Sequence, residues 1–292
     1  MTANSTRFTL CELPSGLWEL RPTFNLKVGR TGVTVAHYLE ENNVSWVFGD
    51  SRKADISLYK NDAGVLTGKR VLFEMKRRLL DRRKYLSLIS EPREIAPAAY
   101  LLEDPRHALA VAPGNKFRRM YFASEWRDPR LDGWRNRLDR ICWIARPLPE
   151  RVAWAREISR AGIALDIYSK QPWPVPEWKG YAEDEVATAE RYRYRIVCEN
   201  STREGYHSEK LFNSIRSGCV TFYQGDPTLD LPHAAGAFLP LTVEAVHNRQ
   251  DLGEDVLGAV ERFMFTDAWE IYSFKNFYDR ILDLSLDLLG IR

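Results

Sequence analysis

Between residues 141 and 223 the chain repeats one alternation twice: an apolar run, a polar loop, a helical pattern and a second apolar run. The first run is Ile141-Cys142-Trp143-Ile144-Ala145, broken by Arg146-Pro147-Leu148-Pro149. Glu150 to Ala161 then has helical character. Pro149 stands in its first turn, where a missing N–H costs nothing, and Gly162 stands at its stop. Ile163 to Tyr168 is the next strand. In the second unit Tyr194 to Cys198 is a strand and residues 199–207 form a polar loop. Ser208 offers an N-cap hydroxyl to a short helix whose Leu211, Phe212 and Ile215 share one face. Gly218 suits the stop of that helix, and Cys219 to Tyr223 is again a strand. Apolar strands separated by helices are buried on both faces, which predicts a parallel sheet in an α/β architecture.

The same alternation runs more faintly through the first half. Phe8 to Cys11 and Trp46 to Phe48 read as strands, with a helix over Val33 to Glu41 between them. Ile56 to Tyr59, Arg70 to Phe73 and Tyr85 to Ile89 continue the series. Residues 113–119 and 128–133 read as loops, residues 171–178 as a proline-rich loop and residues 181–191 as a helix. Asp267 to Leu289 reads as one or two helices with an amphipathic pattern of Ile281, Leu282, Leu284 and Leu288. A terminal helix packing back over the first domain fits that pattern. At 292 residues the chain is comfortable for two domains of roughly 130 residues each. The expected layout is two Rossmann-like domains facing a cleft, at 1–135 and 136–270, with a C-terminal helical segment at 271–292.

Charge narrows the partners. The net charge of +2 argues against a general nucleic-acid binder. Two local basic runs, Lys76-Arg77-Arg78 and Arg82-Arg83-Lys84, read either as a solvated helix face or as a peripheral contact with anionic lipid. The four cysteines, at 11, 142, 198 and 219, include no Cys-x-x-Cys pair. Three of them sit in strand-like runs, so buried free thiols and a reducing compartment are expected. No stretch approaches the roughly 20 apolar residues of a membrane span. The start lacks the apolar core of a secretory signal, and a cytoplasmic location is the expectation.

The loop 199–207 carries the chemistry. It follows a strand at the end where open α/β sheets bind ligands. It supplies a carboxylate, an amide, hydroxyls and a tyrosine, and it leads into a helix whose first turn holds Glu209 and Lys210. Free N–H groups and the positive end of the helix dipole suit a diphosphate there. Glu199, Asn200 or Glu209 could meet sugar or ribose hydroxyls. Arg151, in the first turn of the preceding helix, could grip a phosphate with two N–H groups. The alternative for Ser208-Glu209-Lys210 is a capped surface helix with a solvated charge pair, and for Arg151 a surface arginine.

Glu199-Asn200-Ser201, then Gly205-Tyr206-His207-Ser208-Glu209-Lys210-Leu211-Phe212, then Ser217 to Pro227 resembles the donor-binding block of the α-1,3/1,4-fucosyltransferases, glycosyltransferase family 10. The strand at 141–145 with Arg151, and Asp166-Ile167-Tyr168-Ser169-Lys170, are similar to the family's preceding βαβ unit. The chain departs from the pattern at His207-Ser208, where the family has Val-Thr, and at Thr221, where it has proline. The resemblance implies a GT-B fold with an N-terminal acceptor-side domain, a nucleotide-sugar donor domain, GDP-fucose as donor and a glycan as acceptor. It implies inversion at the anomeric carbon, with no cofactor and no obligatory metal. Carried over by position, Arg151 and Lys210 would hold the diphosphate, and Asn200, Tyr206 and Glu209 would line fucose and ribose. The general base would be Glu91, with Glu74 and Glu103 as weaker candidates. Another nucleotide sugar, activated by UDP or CMP, is the alternative donor, and a non-catalytic nucleotide- or glycan-binding module is the more distant reading.

Overall fold

The structure is a computed structural model. It describes residues 8–12, 25–30, 32–48, 55–61, 85–89, 99–102, 116–119, 128–200, 202, 208–226, 231 and 234–290. The chain divides into two compact units, Met1–Glu125 with Tyr272–Arg292, and Trp126–Ile271.

In the first unit the described strands are β1 (Phe8–Glu12), β2 (Val44–Phe48), β3 (Ile56–Asn61), β4 (Tyr85–Ile89), β5 (Ala99–Leu102) and β6 (Lys116–Arg119), with helix α1 (Val35–Glu41) between β1 and β2. They form one sheet in the order β2-β1-β3-β4-β5-β6, and every pairing is parallel. Two sequence readings change here. Lys116–Arg119 is a strand rather than part of a loop. It lies at the sheet edge, where charged residues are common because they discourage further pairing. Ala99–Leu102 is a strand that the sequence reading did not separate from its surroundings. The expected strand at Arg70 to Phe73 lies outside the described residues, as do both basic runs.

The C-terminal helix, α7 (Phe274–Leu289), belongs to this first unit. Ser273 caps it by accepting from the Asn276 N–H. Its Phe277, Tyr278, Ile281, Leu282 and Leu284 join Phe8, Leu10, Val35, Leu39, Val44 and Ile56 in one buried cluster. Trp46 meets Tyr278 edge to face at 6.0 Å. The Tyr38 hydroxyl donates to Asp279, and the Lys275 N–H to the Val28 carbonyl at 3.0 Å. Ile281, Leu282 and Leu284 of the amphipathic pattern thus lie on the face that closes this core.

The second unit holds β7 (Leu138–Ile144), α2 (Pro149–Arg160), β8 (Leu165–Tyr168), α3 (Glu185–Ala189), β9 (Tyr192–Cys198), α4 (Glu209–Arg216), β10 (Val220–Gln224), β11 (Leu239–Pro240), α5 (Val243–His247) and α6 (Arg249–Met264). Its five strands are ordered β11-β10-β9-β7-β8, again all parallel. Ile141, Cys142 and Trp143 on β7, and Val220, Thr221 and Phe222 on β10, are fully buried on alternating faces, as a sheet covered on both sides requires. Cys142, Cys198 and Cys219 are buried free thiols. The stretch 181–191 is helical only over Glu185–Ala189. Residues 177–180 instead lie along the outer edge of β8, where the Ile167 N–H donates to the Glu177 carbonyl, the Lys179 N–H to Ile167 and the Ser169 N–H to Gly180.

Candidate functional site

The strand order reverses beside β7. Chain order runs β7, β8, β9, yet β8 lies on one flank of β7 and β9 on the other. The loops leaving the two flanks diverge there, and this opens a crevice at the carboxyl ends of the strands. A cavity of about 350 Å³ occupies that position. Its walls are the residues just after three strands: Ala145 and Arg146 after β7, Ser169 and Lys170 after β8, and Asn200 after β9.

Two helices begin at this cavity. Pro149 is the first residue of α2, and no side chain caps the helix, so its first-turn N–H groups have no side-chain partner of that kind. Arg151, in the same turn, is only 4% exposed. Its Nη2 donates to the Glu199 carbonyl at 2.7 Å and to the Cys198 carbonyl at 3.3 Å. One guanidinium therefore ties the start of α2 to the end of β9, and it also lines the cavity. It has no ion pair with a carboxylate among the described residues. A buried cation in that state is poised for an anion from outside.

Ser208 is the N-cap of α4, as its hydroxyl predicts. The helix buries Leu211, Phe212 and Ile215, and it ends with Gly218 at φ +68°, a backbone angle that favours glycine. Before the cap stands Glu199, whose side chain is fully buried. Its Oε1 accepts from the Ser208 N–H at 2.9 Å and its Oε2 from the Ser208 hydroxyl at 2.7 Å. Lys210 Nζ lies 3.4 Å from Oε2 and donates to Ser208 Oγ at 2.8 Å. The Glu199 carboxylate is thus engaged from several sides and does not line the cavity. It fixes the loop end and the Lys210 ammonium, which does line the cavity. Glu209 lies 3.8 Å from the Lys210 ammonium.

Among the described residues the walls carry four cations, Arg146, Arg151, Lys170 and Lys210, and no carboxylate. Two helix N-termini add partial positive charge. A site of this sign takes an anion, and its depth and its amide and tyrosine groups, Asn200, Tyr168 and Tyr181, suit a phosphorylated organic molecule. Beside it Asp166 accepts a two-point contact from Arg140, at 2.9 and 2.7 Å. It also accepts from the Tyr192 hydroxyl at 3.1 Å, and Tyr192 shares a 2.7 Å hydrogen bond with Tyr168. Burial pushes the Asp166 carboxyl up, but the Arg140 and Tyr192 hydrogen bonds, with the charges of Arg140 and Lys179, win and hold it below the usual range. Burial pushes the Cys198 thiol, on the cavity wall, up to about 12, so it is a neutral group at physiological pH.

Of the residues named from the sequence, Arg151, Asn200 and Lys210 meet at one cavity, with Glu199, Ser208 and Glu209 around them. Ser201, Tyr206 and Glu91 lie outside the described residues, as do His207, Glu74 and Glu103. Sequence reasoning gave no role to Arg146 or Tyr181. Arg146 begins what reads as a strand-breaking Pro-Leu-Pro run, and Tyr181 opens what reads as a helix. Both follow strand or loop ends, and that position was the one signal available.

No protein-family model matches the sequence, and no curated protein matches it. Solved structures do share the fold. An α1,3-fucosyltransferase solved with GDP-fucose superposes with a TM-score of 0.60 at 11% identity, over 98% of this chain and 92% of that one. A glycosyltransferase from Rickettsia africae ESF-5 gives 0.57 at 9% identity, over 97% and 99%. Anabaena Alr3699/HepE in complex with UDP-glucose gives 0.56 at 9%, over 95% and 99%. At such identities the likeness is one of fold. The chain has the α/β architecture of GT-B type, built of two Rossmann-like units with the C-terminal helix returned to the first.

Proposed function

We propose that this protein is an inverting glycosyltransferase that moves fucose from GDP-fucose to a hydroxyl of a glycan acceptor. The observation that carries the reading is the cavity at the strand-order reversal, whose described wall residues include Arg146, Arg151, Lys170 and Lys210 and no carboxylate. A nucleoside diphosphate is the metabolite class that matches such a wall. The GT-B fold, shared with proteins solved with GDP-fucose and UDP-glucose, supports a sugar on that diphosphate. The choice of GDP-fucose rests on the motif at residues 199–212.

In the proposed reaction the acceptor hydroxyl attacks the anomeric carbon as the bond to the β-phosphate oxygen breaks. The hydroxyl proton passes to a carboxylate base, assigned to Glu91 of the first unit. Charge builds on the departing GDP. Arg151 and Lys210, at two helix N-termini, stabilise it with fixed donors that need no reorganisation. Arg146 adds to the same field. Cations on the cavity wall can offset the charge of a diphosphate, and this supports transfer without an obligatory metal. Asn200 and Glu209 are assigned to sugar and ribose hydroxyls. Glu199 is assigned a supporting part, holding Ser208 and Lys210 in place.

The test is a donor panel of GDP-fucose, GDP-mannose, UDP-glucose and CMP-sialic acid, read by nucleotide release with and without a glycan array as acceptor. Release from GDP-fucose alone, unaffected by EDTA, is the expected result. Release from a UDP- or CMP-sugar instead would overturn the donor assignment, and binding of nucleotides without any transfer would favour a non-catalytic module.

A further inference from the structure

Tyr181 stands at the rim of the donor cavity and is 54% exposed. Among the described residues Leu138, Val243 and Phe265 are the other exposed large apolar side chains, and each is less open. The segment that leads into it is fastened to the sheet. Residues 177–180 are fastened to β8 by the backbone bonds from Lys179 to Ile167 at 2.8 Å and from Ser169 to Gly180 at 2.8 Å. Gly180, at φ +102°, turns the chain directly before Tyr181, a conformation that side-chain-bearing residues rarely adopt. The Lys170 ammonium lies over the ring, 5.2 Å from its centroid. An aromatic ring that follows a segment fastened to the sheet, with a cation over it, and is still open to solvent is a surface suited to a planar partner.

Its place relative to the charges identifies that partner. Lys210 and Asn200 follow β9, Arg151 is tied to the end of β9, and Tyr181 is fastened beside β8. The strand β7 lies between β8 and β9. With neighbouring strands about 4.8 Å apart, the two flanks are separated by about 10 Å. A ligand with its diphosphate at the β9 flank would bring its base, one ribose away, to the β8 flank. Resting on the nucleotide reading above, we infer that Tyr181 is the stacking platform for the nucleobase, with Lys170 holding the ring upright at the rim. Stacking alone accepts any base, so the platform supplies affinity for the nucleoside end.

Calorimetric titration of GDP into the purified full chain, its Tyr181→Ala variant and its Tyr181→Phe variant tests this. Tyr181→Ala is expected to bind GDP on the order of 10- to 100-fold more weakly, and Tyr181→Phe to bind like the parent. The ratio between parent and Tyr181→Ala should persist at high salt, because stacking is not screened as charge contacts are. If GDP binds the parent and Tyr181→Ala equally, the platform is wrong while the nucleotide site stands. A ratio that collapses at high salt also overturns it, since the ring would then act through charge. If the parent does not bind GDP, the GDP reading itself fails and takes the platform with it.

Discussion

At the scale of single residues, polarity in the second unit is organised by pairs that fix one another. Glu199 shows the principle: a fully buried carboxylate is tolerated because Ser208 N–H, Ser208 Oγ and Lys210 all donate to it. Asp166 is a second case, held by Arg140 and Tyr192 and linked through Tyr192 to Tyr168 on the cavity wall. Asp166→Asn removes the carboxylate from the Arg140 contact and should cost about 1–3 kcal/mol at neutral pH. The sign with pH follows from the lowered folded-state value. The unfolded chain takes up a proton first as pH falls, near the ordinary value of about 3.9. The stability from Asp166 is therefore fully present above that value and is lost as pH falls through it toward the lower folded-state value. Urea melts of parent and Asp166→Asn should differ by a constant amount from neutral pH to about pH 5 and converge below about pH 4. A difference that does not change with pH would mean that the carboxylate is not held as described.

At the scale of elements, each helix that matters is read by its ends and by its stripe. In the second unit the strands, the stops Gly162 and Gly218 and the cap Ser208 were legible because each has a local cause: an apolar run, a left-handed turn, a hydroxyl beside free N–H groups. The strand Lys116–Arg119 was not legible, since an edge strand of Lys-Phe-Arg-Arg has no apolar run to betray it. The helix Arg249–Met264 carries Gly253 and Gly258 inside it, and these residues weaken any helical reading. Gly253 sits in a tight place: a Cβ there would come within 3.0 Å of the Trp134 ring, which would have to give by a few tenths of an ångström. The C-terminal helix was legible by its stripe, and its contribution can be measured. Ile281 is fully buried in the first-unit cluster. Ile281→Ala should cost about 2–5 kcal/mol, seen as a lower melting temperature of the full chain. Near-parent stability would show that this helix does not close the core.

At the scale of the whole molecule, the chain joins two parallel-sheet units, and the described residues that line the cavity belong to the second. Its placement follows from topology. Any sheet in which the chain order reverses beside its first strand opens a crevice there, and what the sequence adds is the lining. The motif at residues 199–210 was visible in the sequence, but the gathering of its charges with Arg146 and Lys170 was not. Lys210 lies in the first turn of α4 and Arg146 and Lys170 on two separate loops, which only the strand order brings together. No helix among the described residues is long and apolar enough to cross a membrane. The central claim is that Arg151 and Lys210 make this crevice a diphosphate site. GDP affinity, measured by titration calorimetry for the parent, Arg151→Met and Lys210→Ala, tests it most directly. Removing a charged partner of a phosphate should weaken binding by about 1.5–3 kcal/mol, roughly 10- to 150-fold, in each variant. GDP binding that is unchanged in both variants, with the fold intact by circular dichroism, would contradict it.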